Sequence, residues 1–244
     1  METLEYKLQK FDPGVVLLSA DNRILAMNQI AQRVLSNILG NPIGRDVLQL
    51  HPEKSKEKIQ LLLRSSGSEA GGVHTESPPM TMMINIPDRV LLIKVTRLSD
   101  GSQDHGSCMM FYDLTDITTN EPGAKTGREG RPKQFVKIPV LLRNRVILLA
   151  MTDVVHLQAD GHYTRIFTFD QDHFCNLSLA DVEPRLNQEV FMRTHRSHVV
   201  NLQHVRSVDR RGEQYHLVLD TKDQAHVPIS RNRIADVRQY FGLI

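Results

Sequence analysis

The sequence predicts two domains, an α+β domain with an antiparallel sheet followed by a mostly β domain. Its 244 residues suit two domains of ordinary size, and a composition of 40% apolar and 24% charged residues is typical of a soluble globular protein. Residues 120–132 hold three Gly, two Pro and five charged residues but no large apolar residue, which is typical of a linker. We therefore expect domains at residues 1–118 and 134–244, joined by a linker at 119–133.

The first half begins with a strand, a hairpin and a helix. An apolar run from Gly14 ends in a turn near Asn22, and residues 24–27 resume the strand pattern. Asn28 is a favourable N-cap for a helix, which ends at residues 40–42 because they contain Gly and Pro. The apolar side of this helix is formed by Ile30, Val34, Leu35 and Ile38.

Two more helical segments and three strands complete the first half. The helical segments are predicted at residues 46–51 and 52–65, and the strands at residues 80–86, 89–98 and 107–114. The resulting order is β-β-α-α-α-β-β-β.

This order, closed by the sequence Asp-Leu-Thr-Asp-Ile at residues 113–117, resembles a PAS sensor domain over about residues 8–118. The resemblance implies a PAS fold, in which a five-stranded antiparallel sheet carries helices on one face and a pocket lies between the layers. PAS pockets hold haem, flavin, small metabolites or no ligand, so the resemblance leaves the ligand open.

The second half alternates short strands with two helices. Strands are predicted at residues 137–140, 146–150, 154–159, 163–168, 173–176, 199–201, 205–209 and 216–219, and helices at 179–185 and from Arg233. Residues 133–244 carry 15 Lys and Arg against 12 Asp and Glu. This excess is too small for a purely electrostatic grip on nucleic acid, so binding would need a focused patch, a dimer or base contacts.

The most informative motif is Phe-Met-Arg-Thr-His-Arg-Ser-His-Val-Val-Asn at residues 191–201, with Ile-Ser-Arg-Asn at 229–232. Asn pairs with adenine and Arg with guanine through two hydrogen bonds, while Arg and His bind phosphate oxygens. Together with residues 154–163 and 177–179, the motif resembles the LytTR DNA-binding domain, a β-rich module of bacterial transcription regulators. Double-stranded DNA is therefore the predicted partner.

The LytTR resemblance implies which side chains contact DNA. The positions that match base contacts are His162, Asn201 and Arg231. The positions that match phosphate contacts are Arg193, His195, Arg196, Ser197 and Arg233. Two alternatives stay open: Asn201 could only close a turn after a strand, and Arg231 could only donate to carboxylates near the last helix.

His195 and His198 have the spacing H-x-x-H within a strand-like run. Alternation along a strand predicts that their side chains point to nearly opposite faces, which argues against a shared metal ion. We interpret His195 as a phosphate contact and His198 as a structural residue.

One imidazole and a group of sulfur-containing residues are candidate haem ligands in the first domain. The imidazole belongs to His74, and the sulfur atoms to Met80, Met82, Met83, Cys108, Met109 and Met110. Imidazole and thioether together form a six-coordinate ligand pair for haem iron, and a diatomic gas can replace the weaker thioether. In the alternative, these Met residues only fill gaps in an apolar core, and His74 is a solvated loop residue.

A PAS-like domain with His74 and a Met-bearing last strand, followed by a LytTR-like domain, resembles the RcoM-type CO-sensing transcription regulators over nearly the whole chain. The resemblance implies a non-covalently bound haem b, with His74 as the permanent axial ligand and a Met as the ferrous-state ligand that CO displaces. Only one of Met109 and Met110 can reach iron, because adjacent strand residues point to opposite faces. Met109 shares a face with Phe111 and is favoured, while Met110 stays open.

The chain departs from the family pattern in its ferric-state ligand. Family members can use a Cys in the strand before the Met, but residues 91–97 contain none. Cys108 lies beside the Met pair instead, and it is kept only as a possible ferric ligand.

These resemblances predict a haem-dependent, CO-responsive transcriptional activator that binds an operator with repeated half-sites as a homodimer. In the alternative, the first domain senses redox state, a flavin or a metabolite, or only dimerises. No enzyme motif is found in the sequence. Two Cys and no apolar run of the length of a membrane span predict a cytoplasmic protein that does not associate with membranes.

Overall fold

The computed structural model describes residues 12–50, 80–82, 89–99, 104–119, 133–142 and 145–243, together with five helical positions between residues 56 and 63. The chain forms two compact units, the first built from residues 1–117 and the second from most of residues 118–244. The domain limits at 118 and 134 stay predictions. Among the helices of the described residues, none has the length and apolar character needed to cross a membrane.

The first unit is an antiparallel five-stranded sheet. Its strands are β1 (Gly14–Leu18), β2 (Ile24–Met27), β3 (Met80–Met82), β4 (Leu91–Ser99) and β5 (Asp104–Asp113). They lie in the order β2-β1-β5-β4-β3, so the last strand in sequence is the central strand of the sheet. The predicted α+β class of this unit is confirmed. The predicted strand at 80–86 is observed at its first three residues, and residues 83–86 lie outside the described residues.

Helix α1 (Gln29–Leu39) is attached to the sheet through the side chain of Asn28. The Asn28 side-chain oxygen accepts hydrogen bonds from the backbone nitrogens of Ala31 at 2.9 Å and Val15 at 3.0 Å. Its amide nitrogen donates to the carbonyl oxygen of Pro13 at 2.8 Å. One side chain therefore caps the helix, as predicted, and ties it to β1. The apolar side of α1 packs on the sheet core and contributes Ala31, Val34 and Leu35 to it.

The central strand ends in a hydrogen-bond network around Asp113. The Asp113 carboxylate accepts from the backbone nitrogen of Thr115 at 3.0 Å and from its hydroxyl at 2.6 Å, and it pairs with the guanidinium of Arg89. The Thr115 hydroxyl oxygen in turn accepts from the backbone nitrogen of Val90 at 2.9 Å. The Asp-Leu-Thr sequence thus holds the start of a short helix, α2 (Thr115–Thr118), directly after β5.

The second unit contains two sheets and is mostly β, as predicted. The strands are β6 (Lys137–Leu142), β7 (Arg145–Ala150), β8 (His156–Asp160), β9 (Tyr163–Phe167), β10 (Asp172–Cys175), β11 (Phe191–His195), β12 (His198–Asn201), β13 (Val205–Arg211), β14 (Gln214–Leu219) and β15 (His226–Ile229). The larger sheet has the order β11-β12-β8-β9-β10-β6-β7, and the smaller sheet has the order β13-β14-β15.

Two helices complete the second unit. The first, α3 (Leu179–Val182), begins with a capping box between Ser178 and Asp181 and continues as a 3₁₀ turn at Glu183–Arg185. The single helix predicted at 179–185 changes type there because Pro184 has no N–H to donate to the helix. The last helix, α4 (Ile234–Phe241), buries Val237 against the smaller sheet.

Strand β15 was not predicted from the sequence. Pro228 lies in its middle and cannot donate a ladder hydrogen bond, which argues against a central strand. The structure accommodates Pro228 because β15 is at the edge of the smaller sheet and pairs on one side only, where Pro228 lies opposite His216.

Replacing Gly106 by Ala is expected to destabilise the first unit. Gly106 has a φ of +104°, and an added Cβ would lie 1.9 Å from the carbonyl oxygen of Leu18. Backbone strain and this clash together predict a loss of about 3 kcal/mol in the free energy of unfolding, measured by urea titration.

Gly44→Ala is the matched control. Gly44 has a φ of +79°, but an added Cβ would meet nothing within 4 Å, so strain alone predicts a loss of about 1 kcal/mol. Equal losses in the two variants would contradict the importance of the close approach at Gly106.

Candidate functional site

Three sulfur-containing side chains follow one another on the central strand β5. Cys108 lies opposite Leu17 and Thr96, Met109 opposite Val16 and Val95, and Met110 opposite Val15 and Lys94. Because side chains alternate along a strand, Met109 lies on one face of the sheet and both Cys108 and Met110 lie on the other.

Met109 lies on the face of the sheet that helix α1 covers. Its neighbours Val16 and Val95 are buried members of the core, and Met109 packs against that core. Phe111 shares this face and packs so closely on Gly14 that an added Cβ there would lie 2.2 Å from its ring. Another thioether, that of Met27 on β2, also packs against this core, and the sequence analysis did not single it out.

The donor chemistry of this face fits a haem ligand. Thioether sulfur is a soft, weak ligand for iron, and Met109 holds it among apolar side chains. Cys108 fits less well, since burial raises the pKa of its thiol and disfavours the thiolate that would bind iron. Because the two residues lie on opposite faces of β5, Cys108 and Met109 cannot bind one iron from the same side.

The other members of the imidazole and sulfur group are not described. His74 and Met83 lie outside the described residues, and so do the side chains of Met80 and Met82 on β3. The assignment of His74 as an axial ligand therefore stays a prediction.

In the second unit, β11 and β12 form a tight hairpin whose turn carries most of the predicted phosphate contacts. The Arg193 guanidinium donates to the carbonyl oxygen of His195 at 2.9 Å and to that of Arg196, and it pairs with Glu183. These partners all belong to the same unit. Arg193 therefore holds the turn together, and its phosphate contact stays a prediction.

Two histidines meet at Ser197 in this turn. Ser197 Oγ lies 2.8 Å from His195 Nδ1 and 2.9 Å from His198 Nδ1. The prediction that the two rings point to opposite faces is wrong: they are paired across the hairpin, and their ring centroids are 5.7 Å apart. The turn reverses the chain between them, so strand alternation does not apply. Among the residues that the structure describes, no group of three or more His, Cys, Asp or Glu could hold a metal ion.

His156 on β8 extends this cluster into the core. Its ring stacks on Phe167 at 4.1 Å and lies 6.3 Å from the ring of His198. Burial and the neighbouring His198 lower the pKa of His156 to about 3. Burial, His195 and Arg193 lower the pKa of His198 to about 4. Both rings are therefore uncharged at neutral pH.

Asn201 is buried at the end of β12, with only 1% of its surface exposed. Its amide nitrogen donates to the carbonyl oxygen of Val154 at 2.9 Å, and its side-chain oxygen accepts from the backbone nitrogen of Gln203 at 3.0 Å. These two bonds close the turn after β12, and the base contact of Asn201 stays a prediction. An Asn directly before a short 3₁₀ turn is an ordinary N-cap, and that signal was present in the sequence.

Four of the predicted DNA contacts are exposed, namely His162, Arg196, Arg231 and Arg233. His162 lies in the turn between β8 and β9, beside Gly161 with its φ of +59°. The backbone nitrogen of Ser230 donates to the carbonyl oxygen of Thr194 at 2.8 Å. This bond joins the segment of Arg231 and Arg233 to the β11–β12 hairpin that carries Arg196.

The ion pairs of Arg231 and Arg233 are weak. The Arg231 guanidinium is 3.9 Å from the Glu213 carboxylate, and the two side chains are 89% and 88% exposed. The Arg233 guanidinium is 2.9 Å from the Asp236 carboxylate, three residues along the chain. Exposed pairs of this kind contribute about 0–1 kcal/mol, so both arginines can exchange their carboxylate for a phosphate.

Residues 144–242 match the family model of the LytTr DNA-binding domain. Over its full length the chain is 44% identical to the heme-containing CO-sensing transcriptional regulator RcoM 1 of Paraburkholderia xenovorans and 43% identical to RcoM 2 of the same organism, with 94% of each relative covered. It is 30% identical to the CO-responsive transcriptional regulator RcoM of Rhodospirillum rubrum, with 98% of both chains covered.

The stability of the second unit is expected to fall as the pH drops from about 6.5 towards 4. An unfolded His binds a proton near pH 6.5, whereas folded His156 binds one only near its pKa of about 3 and His198 near about 4. The unfolded state thus binds more protons in this window. The free energy of unfolding therefore falls by up to about 1.4 kcal/mol per pH unit through His156, and by less through the more exposed His198. Urea unfolding at several pH values measures it.

His156→Phe provides the comparison. The Phe ring keeps the stacking surface and removes one of the two titrating groups, so unfolding free energy should depend less steeply on pH than in the wild type. An identical slope in the two proteins would contradict the neutral, buried state of His156.

Proposed function

The chain belongs to the RcoM family of haem-containing, CO-sensing transcriptional regulators, and we propose that it binds DNA through its second unit under the control of CO bound in its first. The single observation that carries this proposal is the 44% identity over the full chain to a relative of that name. The relatives are transcriptional regulators, so the chain is a regulator and not an enzyme. We propose that CO activates transcription.

Haem is the cofactor of the family, and we propose haem b held without a covalent bond. Neither Cys lies in a C-x-x-C-H sequence of the kind that attaches haem. His74 and Met109 are the residues that would hold the haem, His74 as the permanent ligand and Met109 as the one that CO would replace. Packing against the apolar core supports Met109 over Met110, whose neighbour on β4 is Lys94.

Haem supplies an iron centre at which CO can take the place of a weak thioether ligand. Met109 is then the residue whose bonding depends on CO. It lies between Val16 of β1 and Val95 of β4, so a change in its packing acts on both neighbours of the central strand.

The proposed route to the DNA-binding unit follows β5. Asp113 ends this strand four residues after Met109, and its bonds to Arg89 and Thr115 hold the start of α2. We propose that repacking at Met109 shifts this segment and thereby changes how the second unit is presented to DNA. A bias of a few kcal/mol between two arrangements is enough to move most of the population.

The proposed DNA surface consists of the exposed side chains of His162, Arg196, Arg231 and Arg233, together with His195. Arg193 and Ser197 act through the turn that they hold. Because this proposed surface carries three arginines, we propose that a homodimer binds two repeated half-sites, so that each half-site strengthens binding at the other.

Met109→Leu is expected to remove the replaceable ligand, whereas Met110→Leu is expected to leave it in place. Absorption spectra of the dithionite-reduced, haem-loaded proteins measure this. The Met109→Leu spectrum should change to that of a five-coordinate ferrous haem, since Leu has no sulfur to bind iron. The opposite pattern would identify Met110 as the ligand.

Loss of the Soret band in His74→Ala would support His74 as the other ligand. A wild type that binds no haem would contradict the proposed cofactor.

Asp113→Ala is expected to separate CO binding from DNA binding. CO should raise the DNA affinity of the wild type by about tenfold or more, and it should raise that of the variant by much less, with the CO-bound absorption spectrum unchanged. Fluorescence anisotropy with a labelled duplex selected by the wild type measures the affinities. Asp172→Ala, which breaks an exposed pair with Arg165, is the control and should respond to CO as the wild type does. A full CO response in Asp113→Ala would contradict the route through β5.

A further inference from the structure

The hydrogen bonds around Ser197 admit one arrangement of protons. The backbone N–H of Ser197 donates to His195 Nδ1 at 3.3 Å. A ring nitrogen that accepts from an N–H carries no proton, so neutral His195 carries its proton on Nε2. Ser197 Oγ, 2.8 Å from the same unprotonated Nδ1, can only donate its hydroxyl proton there, so the two Ser197 donors share the single lone pair of Nδ1.

The state of His198 follows from that of Ser197. The Ser197 hydroxyl has a single proton, which is directed at His195. The 2.9 Å contact between Ser197 Oγ and His198 Nδ1 is therefore a bond in which His198 donates. The donors run in one direction, from His198 Nδ1–H through the Ser197 hydroxyl to His195 Nδ1.

The groups packed around the turn oppose a second proton on the His198 ring. From β11, the Arg193 guanidinium donates to the carbonyl oxygen of His195, and its charge is shared with Glu183. From β8, the ring of His156 lies 6.3 Å from that of His198. A proton on His195 Nδ1 would also face the N–H of Ser197, which would break the chain of donors.

On the premise that this turn binds DNA as proposed above, we propose that His198 is a positioning residue: through Ser197 it holds His195 as the Nε2–H tautomer, a neutral hydrogen-bond donor to a DNA phosphate oxygen. His198 itself makes no contact with DNA. The chain of donors leaves Nε2–H as the one proton of the His195 ring available to a ligand.

A neutral donor differs from a cation in a measurable way. A cation at a phosphate releases counterions, so losing the Arg196 charge reduces the slope of log affinity against log salt by about 1. Losing a neutral donor lowers affinity and leaves that slope unchanged.

The tautomers are tested first, without DNA. The full-length, haem-loaded and CO-bound protein is labelled with ¹⁵N in histidine only, and NMR at neutral pH identifies the protonated nitrogen of each ring. Signals are assigned from their absence in His195→Gln and His198→Phe. We expect the proton on Nε2 of His195 and on Nδ1 of His198. A wild-type His195 protonated on Nδ1 overturns the proposal, whether or not the protein binds DNA.

DNA affinity is then measured with a duplex that the CO-bound wild type selects from a random-sequence library. His198→Phe keeps a ring against His156 and removes the donor, so affinity should fall about fivefold with an unchanged salt slope. His198→Asn restores an N–H near the Nδ1 position and should recover affinity to within about twofold of the wild type. Equal losses of DNA affinity in His198→Phe and His198→Asn would overturn the proposal.

A double-mutant cycle separates positioning from a merely structural role. His195→Gln places an amide nitrogen near the Nε2 position without needing a tautomer, so adding His198→Phe to it should cost no further affinity. A full second loss would overturn the proposal. His173→Phe replaces another buried histidine, on β10 of the same sheet, and should leave affinity unchanged. A wild type that selects no duplex contradicts the proposed function, while the NMR result still decides the tautomers.

Discussion

Side-chain alternation on the central strand β5 is the constraint on which the proposed sensor depends. It places Met109 on the face that α1 covers and sends Cys108 and Met110 to the other face. The same strand ends at Asp113, whose bonds hold the start of α2. One strand therefore carries both the proposed replaceable ligand and the exit towards the second unit. Asp113 follows Met109 by only four residues on this strand, which is the route that we propose for the signal.

The β11–β12 turn shows how a mildly basic unit can present a defined surface. Arg193 and Ser197 form hydrogen bonds within the turn, and these bonds fix the positions of His195 and Arg196. Two of the unit's exposed cations, Arg231 and Arg233, follow Ser230, whose backbone bond to Thr194 joins their segment to this hairpin. A preorganised surface of this kind loses less conformational entropy on binding than a flexible basic tail of the same charge.

Much of the architecture followed from local patterns. The hairpin, the Asn28 cap and the late strands of the first unit, and most strands of the second, were predicted because each depends on residues near in sequence. Strand β15 escaped prediction because Pro228 argues against a strand unless the strand is known to lie at a sheet edge. The opposite-face prediction for His195 and His198 failed because the strand period was extended across a turn.

The candidate site also has a part that local sequence predicted and a part that depended on the folded chain. The motif at residues 191–201 and the Met-bearing strand were visible in the sequence, and they named the chemistry: thioether, imidazole, guanidinium and amide groups. Which of these groups already have partners within the protein depended on residues elsewhere in the chain. The Asn201 amide bonds to the carbonyl of Val154, 47 residues away, and the Arg193 guanidinium pairs with Glu183, 10 residues away. A sequence specifies which polar groups are available, but hydrogen-bond satisfaction in the folded chain decides which of them remain exposed to a partner.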